Sequence, residues 1–306
     1  MSAPDLRTSF AGLNLRNPVI AASGTFAYGV EFESVTSLEK VGAIVVKGIS
    51  REPIQGNPPP RIWEAEGGMI NSIGLQNIGV EAFIREKVPR LRQIATPFMV
   101  NVFGYSVEDY VEVVRRLNDA EGPSAYELNV SCPNTKHGGM FFSSDPCLLS
   151  ELVGAVRAIT KRPLIVKLSP NVARIEPAAE AAQESGADAI SLVNTFVSLA
   201  VDARTRRPRI GAGFGGLSGP AIKPIALRMV YEAAQSVKIP VIGLGGIASG
   251  EDAAEFLIAG ASAVEVGTAS FWDPRAIPRI AHELEAFMKE EKIASVREMI
   301  GTLRFN

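Results

Sequence analysis

Eight short apolar runs, each closing on a polar residue or a glycine, constrain this chain more than any other feature. They span 19–23, 43–47, 98–103, 125–131, 164–169, 189–195, 241–245 and 263–268. A strand covered on both faces reads as a near-continuous hydrophobic run, so these are predicted strands of a parallel sheet. The intervening segments 107–117, 147–159 and 251–259 alternate apolar and charged residues at helical spacing. Eight βα units predict an α/β chain folded as a (β/α)8 TIM barrel, with 1–306 as a single domain, since no low-complexity tract or linker separates a second one.

Two gaps between strands are too long for a plain helix. The first follows Lys47 and holds Asn-Pro-Pro-Pro at 57–60, then a candidate hairpin over 61–73. The second runs from Phe196 to about Leu217 and is rich in Arg and Gly, with a dense basic stretch from Arg204 to Arg209. Both follow strand ends, so both are expected as insertions at the C-terminal face, where barrel sites are built from βα loops. Residues 6–16 are expected as an N-terminal hairpin plugging the opposite mouth.

The charge balance, 31 basic against 33 acidic residues, marks neither a nucleic-acid binder nor an anionic-membrane binder. A small molecule or a protein partner is the expected ligand. Two cysteines, Cys132 and Cys147, cannot build a disulfide framework or ligate an iron–sulfur cluster. No His, Asp or Glu cluster has metal-ligand spacing, so no metal is expected. The apolar runs, such as 42–46, fall short of the ~20 residues a membrane helix needs, and the first residues do not read as a signal segment. A cytoplasmic protein with no membrane contact is the expectation.

In chain order the strand ends carry Ser23, Lys47, Asn101, Asn129, Lys167 and Asn194, then Gly245-Gly246 and Gly267-Thr268. A packing core does not need those side chains. In a barrel such positions converge on one pocket. The glycine-bearing ends of the last two strands, with Ser218-Gly219 before them, suit a phosphate held by backbone N–H groups. Lys47 and Lys167 suit an anion, either a substrate carboxylate or charge developing on a cofactor. Asn71, coming down from the first insertion, joins Asn129, Asn134 and Asn194 in offering donors and acceptors to a cyclic amide or imide.

Cys132 lies just past the fourth strand, beside Asn129, Ser131 and Asn134. A polar or positive surrounding lowers a thiol from its free pKa of about 8.5, so this cysteine is a candidate base or nucleophile. Cys147, which opens a helix, reads as inert. His137 follows in a glycine-containing loop, but no acyl-transfer signature accompanies the pair.

These residues together resemble the class 1 dihydroorotate dehydrogenases, over essentially the whole chain. The resemblance is carried by 17–24, Val46-Lys47-Gly48, 71–77, 128–134, Val166-Lys167-Leu168, Asn194-Thr195, 216–219, Gly245-Gly246-Ile247 and Gly267-Thr268, in family order. Cys132 is similar to class 1, because the membrane-associated class 2 enzymes use a serine there. The run over 131–146 is most similar to subclass 1B. The resemblance implies oxidation of dihydroorotate to orotate in pyrimidine (UMP) synthesis, with FMN as cofactor. It implies Cys132 as the catalytic base for C5. It implies Lys47, Asn71, Ser72, Ile73, Gly74, Leu75, Asn129, Asn134, Asn194 and Thr195 as substrate-binding residues. For the flavin it implies Ser23, Lys47, Gly48, Asn101, Asn129, Lys167, Val193, Gly219, Gly245, Gly246, Gly267 and Thr268. Subclass 1B further implies a homodimer core in a heterotetramer, with an electron-transfer subunit carrying FAD and a [2Fe–2S] cluster and passing electrons to NAD+. This chain is expected to hold no G-x-G-x-x-G dinucleotide fingerprint and too few cysteines for that cluster. Alternatives are a fumarate-reducing class 1A enzyme and another FMN barrel acting on a dihydropyrimidine. Gly138 and Gly139 are expected to let the loop bearing Cys132 move.

Overall fold

The computed structural model describes residues 3–131, 133–134 and 140–305, with backbone only for 133, 134, 140 and 141. The apolar runs form barrel strands β1 (Val19–Ala21), β2 (Ala43–Ile49), β3 (Phe98–Val102), β4 (Ala125–Asn129), β5 (Leu164–Lys167), β6 (Ala189–Leu192), β7 (Val241–Leu244) and β8 (Ala263–Val266). Each is parallel to its neighbours in sequence, and β8 closes onto β1. Outward residues such as Val46, Val100, Val166 and Val264 pack under the helices. Inward residues, among them Ile20, Val45, Met99, Ile165 and Ile242, fill the barrel.

Most of the strands stop short of the apolar runs that announced them. Ser23, Phe103, Ser131, Ser169, Thr195 and Thr268 lie past the last ladder positions, where the backbone leaves the sheet to build the rim. β2 is the exception and runs on to Ile49. The helices Val107–Asn118, Pro146–Arg157 and Gly250–Ile258 match their periodic segments to within a residue or two. Their starts are fixed by side chains. Ser106 accepts from the Asp109 N–H, Asp145 accepts from the N–H groups of Cys147 and Leu148, and Ser249 forms a reciprocal capping box with Asp252. The first crossover departs from the βα rule, with two 3-10 turns, Val30–Phe32 and Leu38–Lys40, in place of a helix.

Residues Thr8–Phe10 and Leu13–Leu15 form the expected hairpin. Phe10, Leu13 and Leu15 alternate with exposed Ser9 and Asn14, and they close the N-terminal mouth against Ala43, Ala125, Ala189 and Ala263. Small residues there leave room for the plug.

At the opposite mouth the two insertions do more than cover it. Ile62–Ala65 and Gly68–Asn71 form a hairpin, and Gly215–Ser218 pairs antiparallel with Gly68–Asn71 and with Phe196–Ser198. The result is one four-stranded sheet made from segments 150 residues apart in places. Within it, Gly211, Gly213 and Gly216 do carry G-x-G-x-x-G spacing, which corrects the expectation that no such string occurs. The string leads into an antiparallel cap strand rather than from a parallel strand into a helix, so it lacks the context of a dinucleotide site. Among the described residues no helix is long and apolar enough to cross a membrane.

If the plug seals the barrel as argued, Leu15→Ala will destabilise the protein by ~2–5 kcal/mol in denaturant unfolding. Arg7→Ala, at an exposed side chain on the same segment, will leave the unfolding midpoint close to that of the parent.

Candidate active site

Side chains two residues apart on a strand share a face, and that period turns the barrel interior from apolar to polar in one step. Two positions beyond Met99, Ala125, Ile165, Ala189 and Ala263 stand Asn101, Glu127, Lys167, Ser191 and Glu265, all buried. Lys167 Nζ lies 3.0 Å from Glu265 Oε2 and 3.6 Å from Glu127 Oε2. Asn101 Nδ2 donates to Glu127 Oε2 at 2.6 Å, and Ser191 Oγ donates to Glu127 Oε1 at 2.7 Å. Glu265 Oε1 has no hydrogen-bond partner among the described residues. Burial alone would lower the Lys167 ammonium, but the charges of Glu127 and Glu265 outweigh it and hold the group above its ordinary value. Burial, followed by the charge of Glu127, pushes the Glu265 carboxyl up to about 8 against the pull of Lys167.

This polar layer floors a cavity of about 530 Å³ at the C-terminal mouth, within the usual range for small-molecule sites. Lys47 enters it from β2. The pairing of β2 with β3 is regular to Val46↔Val100 and resumes at Ile49↔Val102, so Lys47 and Gly48 sit in the irregularity between. A side chain on Gly48 would meet Asn101 Oδ1 at 2.9 Å and the Phe103 ring at 3.1 Å. Lys47 is half-buried and makes no ion pair or hydrogen bond through its ammonium among the described residues. Burial lowers its pKa, the positive charge of Arg61 lowers it further, and Glu31 opposes both. An unpaired cation in a partly dry cavity is an anion site in waiting.

Carboxamides supply the rest of the wall. Asn194 Nδ2 donates to Asn129 Oδ1 at 3.2 Å and to Ser131 Oγ at 3.0 Å, while the Ser131 N–H donates to Asn129 Oδ1 at 3.2 Å. Asn129 is held from behind by Tyr110 Oη, which donates to its carbonyl at 2.6 Å. The Thr195 N–H is tied to Asn194 Oδ1. From the cap come Asn71, whose Nδ2 reaches the Gly216 carbonyl at 3.4 Å, and the run Ser72, Ile73, Gly74 and Leu75, all lining the cavity.

The far side is a glycine rim. Gly245 and Gly246 adopt φ of 127° and 83°, open only to residues without a Cβ, and a Cβ on Gly246 would lie 2.8 Å from Lys223 Cβ. Gly219 approaches the Gly68 backbone of the cap as closely. Thr268 Oγ1 donates to Ser218 Oγ at 2.8 Å and so ties the end of β8 to the cap. Ser23, Val193, Gly267 and Thr268 complete this wall.

Every site residue expected from the sequence whose side chain is described therefore lines one cavity. Cys132, Gly138 and Gly139 lie outside the described residues, as does the Asn134 side chain, though the backbone of Asn134 pairs with that of Met140. Cys147 is exposed on its helix and is not a lining residue. Two residues the sequence reading passed over, Glu127 and Glu265, hold the floor. Their signal was present, since each is an acid at an inward position of a run otherwise too apolar to carry one. Lys167 also proves different from Lys47: it is a paired ion and not a free one. Among the described residues no group of three or more His, Cys, Asp or Glu could hold a metal.

Comparison with known proteins gives this cavity its setting. The family model described as dihydroorotate dehydrogenase matches residues 5–288. The chain belongs to the dihydroorotate dehydrogenase family. Among curated members, a protein of Solibacter usitatus provisionally named dihydroorotate dehydrogenase A (fumarate) is 69% identical, with 99% of each chain covered. Proteins named dihydroorotate dehydrogenase B (NAD(+)), catalytic subunit, from Geobacter metallireducens and Geobacter sulfurreducens, are each 54% identical over 99% of this chain and at least 99% of theirs. The crystal structure of the Eimeria tenella dihydroorotate dehydrogenase in complex with ferulenol has the same fold, with a TM-score of 0.81 at 24% identity, covering 97% of this chain and 88% of that one.

The floor of this family member's site yields a contrast between two lysines. Lys167→Met strands two buried carboxyls and will cost ~3–5 kcal/mol. Lys223→Met removes a partly exposed ammonium from Asp252 and Glu255 and will cost ~1 kcal/mol or less, both read by denaturant unfolding.

Proposed function

We propose that this protein oxidises dihydroorotate to orotate with FMN in the cavity at the C-terminal mouth, and passes the electrons through a partner subunit to NAD+. The observation that carries the reading is the convergence of Lys47, Asn71, Asn129 and Asn194 on one cavity in a chain matched by the family model over 5–288. A cyclic ureide with a carboxylate needs one cation and several carboxamides, and that set is present.

The residues also fit the cofactor. Gly219, Gly245 and Gly246 line the cavity with bare backbone at positions too crowded for a Cβ, which suits a phosphate held against N–H groups. The buried polar floor of Asn101, Lys167 and Glu265, with an unpartnered oxygen on Glu265, suits the polar edge of a flat ring. Ser23, Gly48, Val193, Gly267 and Thr268 would hold the remainder. When bound, FMN supplies the acceptor for the hydride that leaves C6 of the substrate. The chain's own groups do the rest. Lys47 holds the substrate carboxylate, the four carboxamides of Asn71, Asn129, Asn134 and Asn194 hold and orient the ring with Thr195, and the Cys132 thiolate removes the C5 proton. The cap sheet excludes water from above.

The partner subunit, carrying FAD and a [2Fe–2S] cluster, is part of this reading. Relatives bearing the name of the NAD+-linked catalytic subunit match the chain end to end. The 69% identical relative named for fumarate favours a second reading, in which the chain acts without that subunit and reduces fumarate.

Purified protein with dihydroorotate tests both. Orotate formed with an artificial dye, but with neither NAD+ nor fumarate, is the expected outcome for a catalytic subunit that needs its partner. Turnover with fumarate would replace the first reading by the second, and no orotate with any acceptor would sink both. Cys132→Ala will retain FMN and its colour while losing at least ~100-fold in turnover, and unchanged turnover would remove the thiol from the mechanism.

A further inference from the structure

The proposed reaction gives no proton-transfer role to Glu127 or Glu265, the two buried acids of the floor, and Glu265 is the one with an oxygen left over. Its side chain is buried, its Oε2 is held by Lys167 at 3.0 Å, and its Oε1 is unpartnered among the described residues although it belongs to a wall of the cavity. A buried carboxylate oxygen without a donor is costly. The neighbouring carboxyl of Glu127 accepts from Asn101 on one oxygen and from Ser191 on the other. Protonating Glu265 removes the difficulty, because two carboxyls that share the one ammonium of Lys167, at 3.0 Å and 3.6 Å, then bury a single negative charge between them, and an Oε1–H is a donor in its own right.

We infer that Glu265 carries a proton in the resting site, and that this proton sets how much negative charge the cavity above accepts. Glu265 is thus a positioning residue acting through Lys167. With the proton in place the floor holds one cation and one anion and is neutral. Without it Lys167 faces two anions, and the floor repels negative charge arriving at the ligand above. The raised carboxyl, pushed up to about 8 by burial and by Glu127, agrees with that arrangement. Among the described residues, the charged and titratable groups around Glu265 are Lys167 from β5 and Glu127 from β4, with Lys47 from β2 lining the same cavity. The flanking strands β7 and β1 carry no titratable side chain.

The role toward the flavin rests on the function proposed above, and the protonation itself does not, so two arms separate them. Infrared difference spectra of the protein as purified, taken on either side of pH 8, are expected to lose one protonated-carboxyl band as the pH rises. Glu265→Gln, whose amide donates as the protonated acid would, is expected to lack that band at every pH. Glu127→Gln removes the second carboxyl beside Lys167 and is expected to move the band's midpoint down by ~1 pH unit or more. A band that titrates in the ordinary carboxylate range, or that survives in Glu265→Gln, overturns the inference.

In the second arm the midpoint potential of the bound flavin is followed against pH. The parent is expected to take up one additional proton per two electrons above pH 8, and Glu265→Gln is expected to show no such bend. Identical curves would overturn the coupling to the flavin. Protein that binds no flavin would instead fail the proposed function, while the infrared arm still decides the state of Glu265.

Discussion

Three ionisable side chains packed inside the barrel set the terms for the rest of the molecule. Lys167, Glu127 and Glu265 come from strands far apart in the chain, yet they meet in a space that excludes water. Each ion would cost several kcal/mol to bury alone, so each constrains where the others stand. Asn101 and Ser191 complete the arrangement by donating to Glu127. A polar floor of this kind cannot be swapped for apolar side chains without losing what distinguishes the two ends of the barrel. Below it the interior is Ala, Ile, Val and Met under an apolar plug, and above it lies the cavity.

The two mouths are closed by different means for a physical reason. The N-terminal mouth needs only to be filled, and a hairpin of two three-residue strands with three apolar side chains does it. The C-terminal mouth must admit a ligand and then cover it, so its closure is a sheet built above the cavity. That sheet is tied to the rim by Ser218 bonded to Thr268, and within it Asn71 meets Gly216 while Gly219 leaves no room for a Cβ beside Gly68. Close backbone approach at these points is what the glycines of the second insertion serve, rather than the binding of a dinucleotide.

Much of this was legible in the sequence because the strand period is two. Knowing that 98–103 or 164–169 is a strand fixes which side chains face inward, and the last inward residue of each is a lining residue. Asn101, Asn129, Lys167 and Asn194 were read as polar residues at the ends of the runs, and all of them line the cavity. Glu127 and Glu265 were missed because attention went to strand ends, whereas these acids sit one inward step from the apolar interior, where a charge is least expected. The pairing of the two insertions was not readable either. Neither Gly68–Asn71 nor Gly215–Ser218 shows a local pattern that names its partner 140 residues away, and their register is set by the barrel that brings them together.

The two lysines that look alike in sequence do different electrostatic work. Lys167 is fully engaged by carboxyls, so its charge is cancelled locally and reaches the ligand only to the extent that one of those carboxyls is neutral. Lys47 sits in a bulge of β2 with no partner among the described residues, and its lowered pKa records the cost of leaving it so. Under the proposed function that cost is recovered when the substrate's anionic group arrives, which would make Lys47 the groundwork for binding and Lys167 the groundwork for charge that develops during the reaction. A site that must accept first a carboxylate and then a hydride's negative charge needs both kinds of cation, one open at the mouth and one held in reserve at the floor.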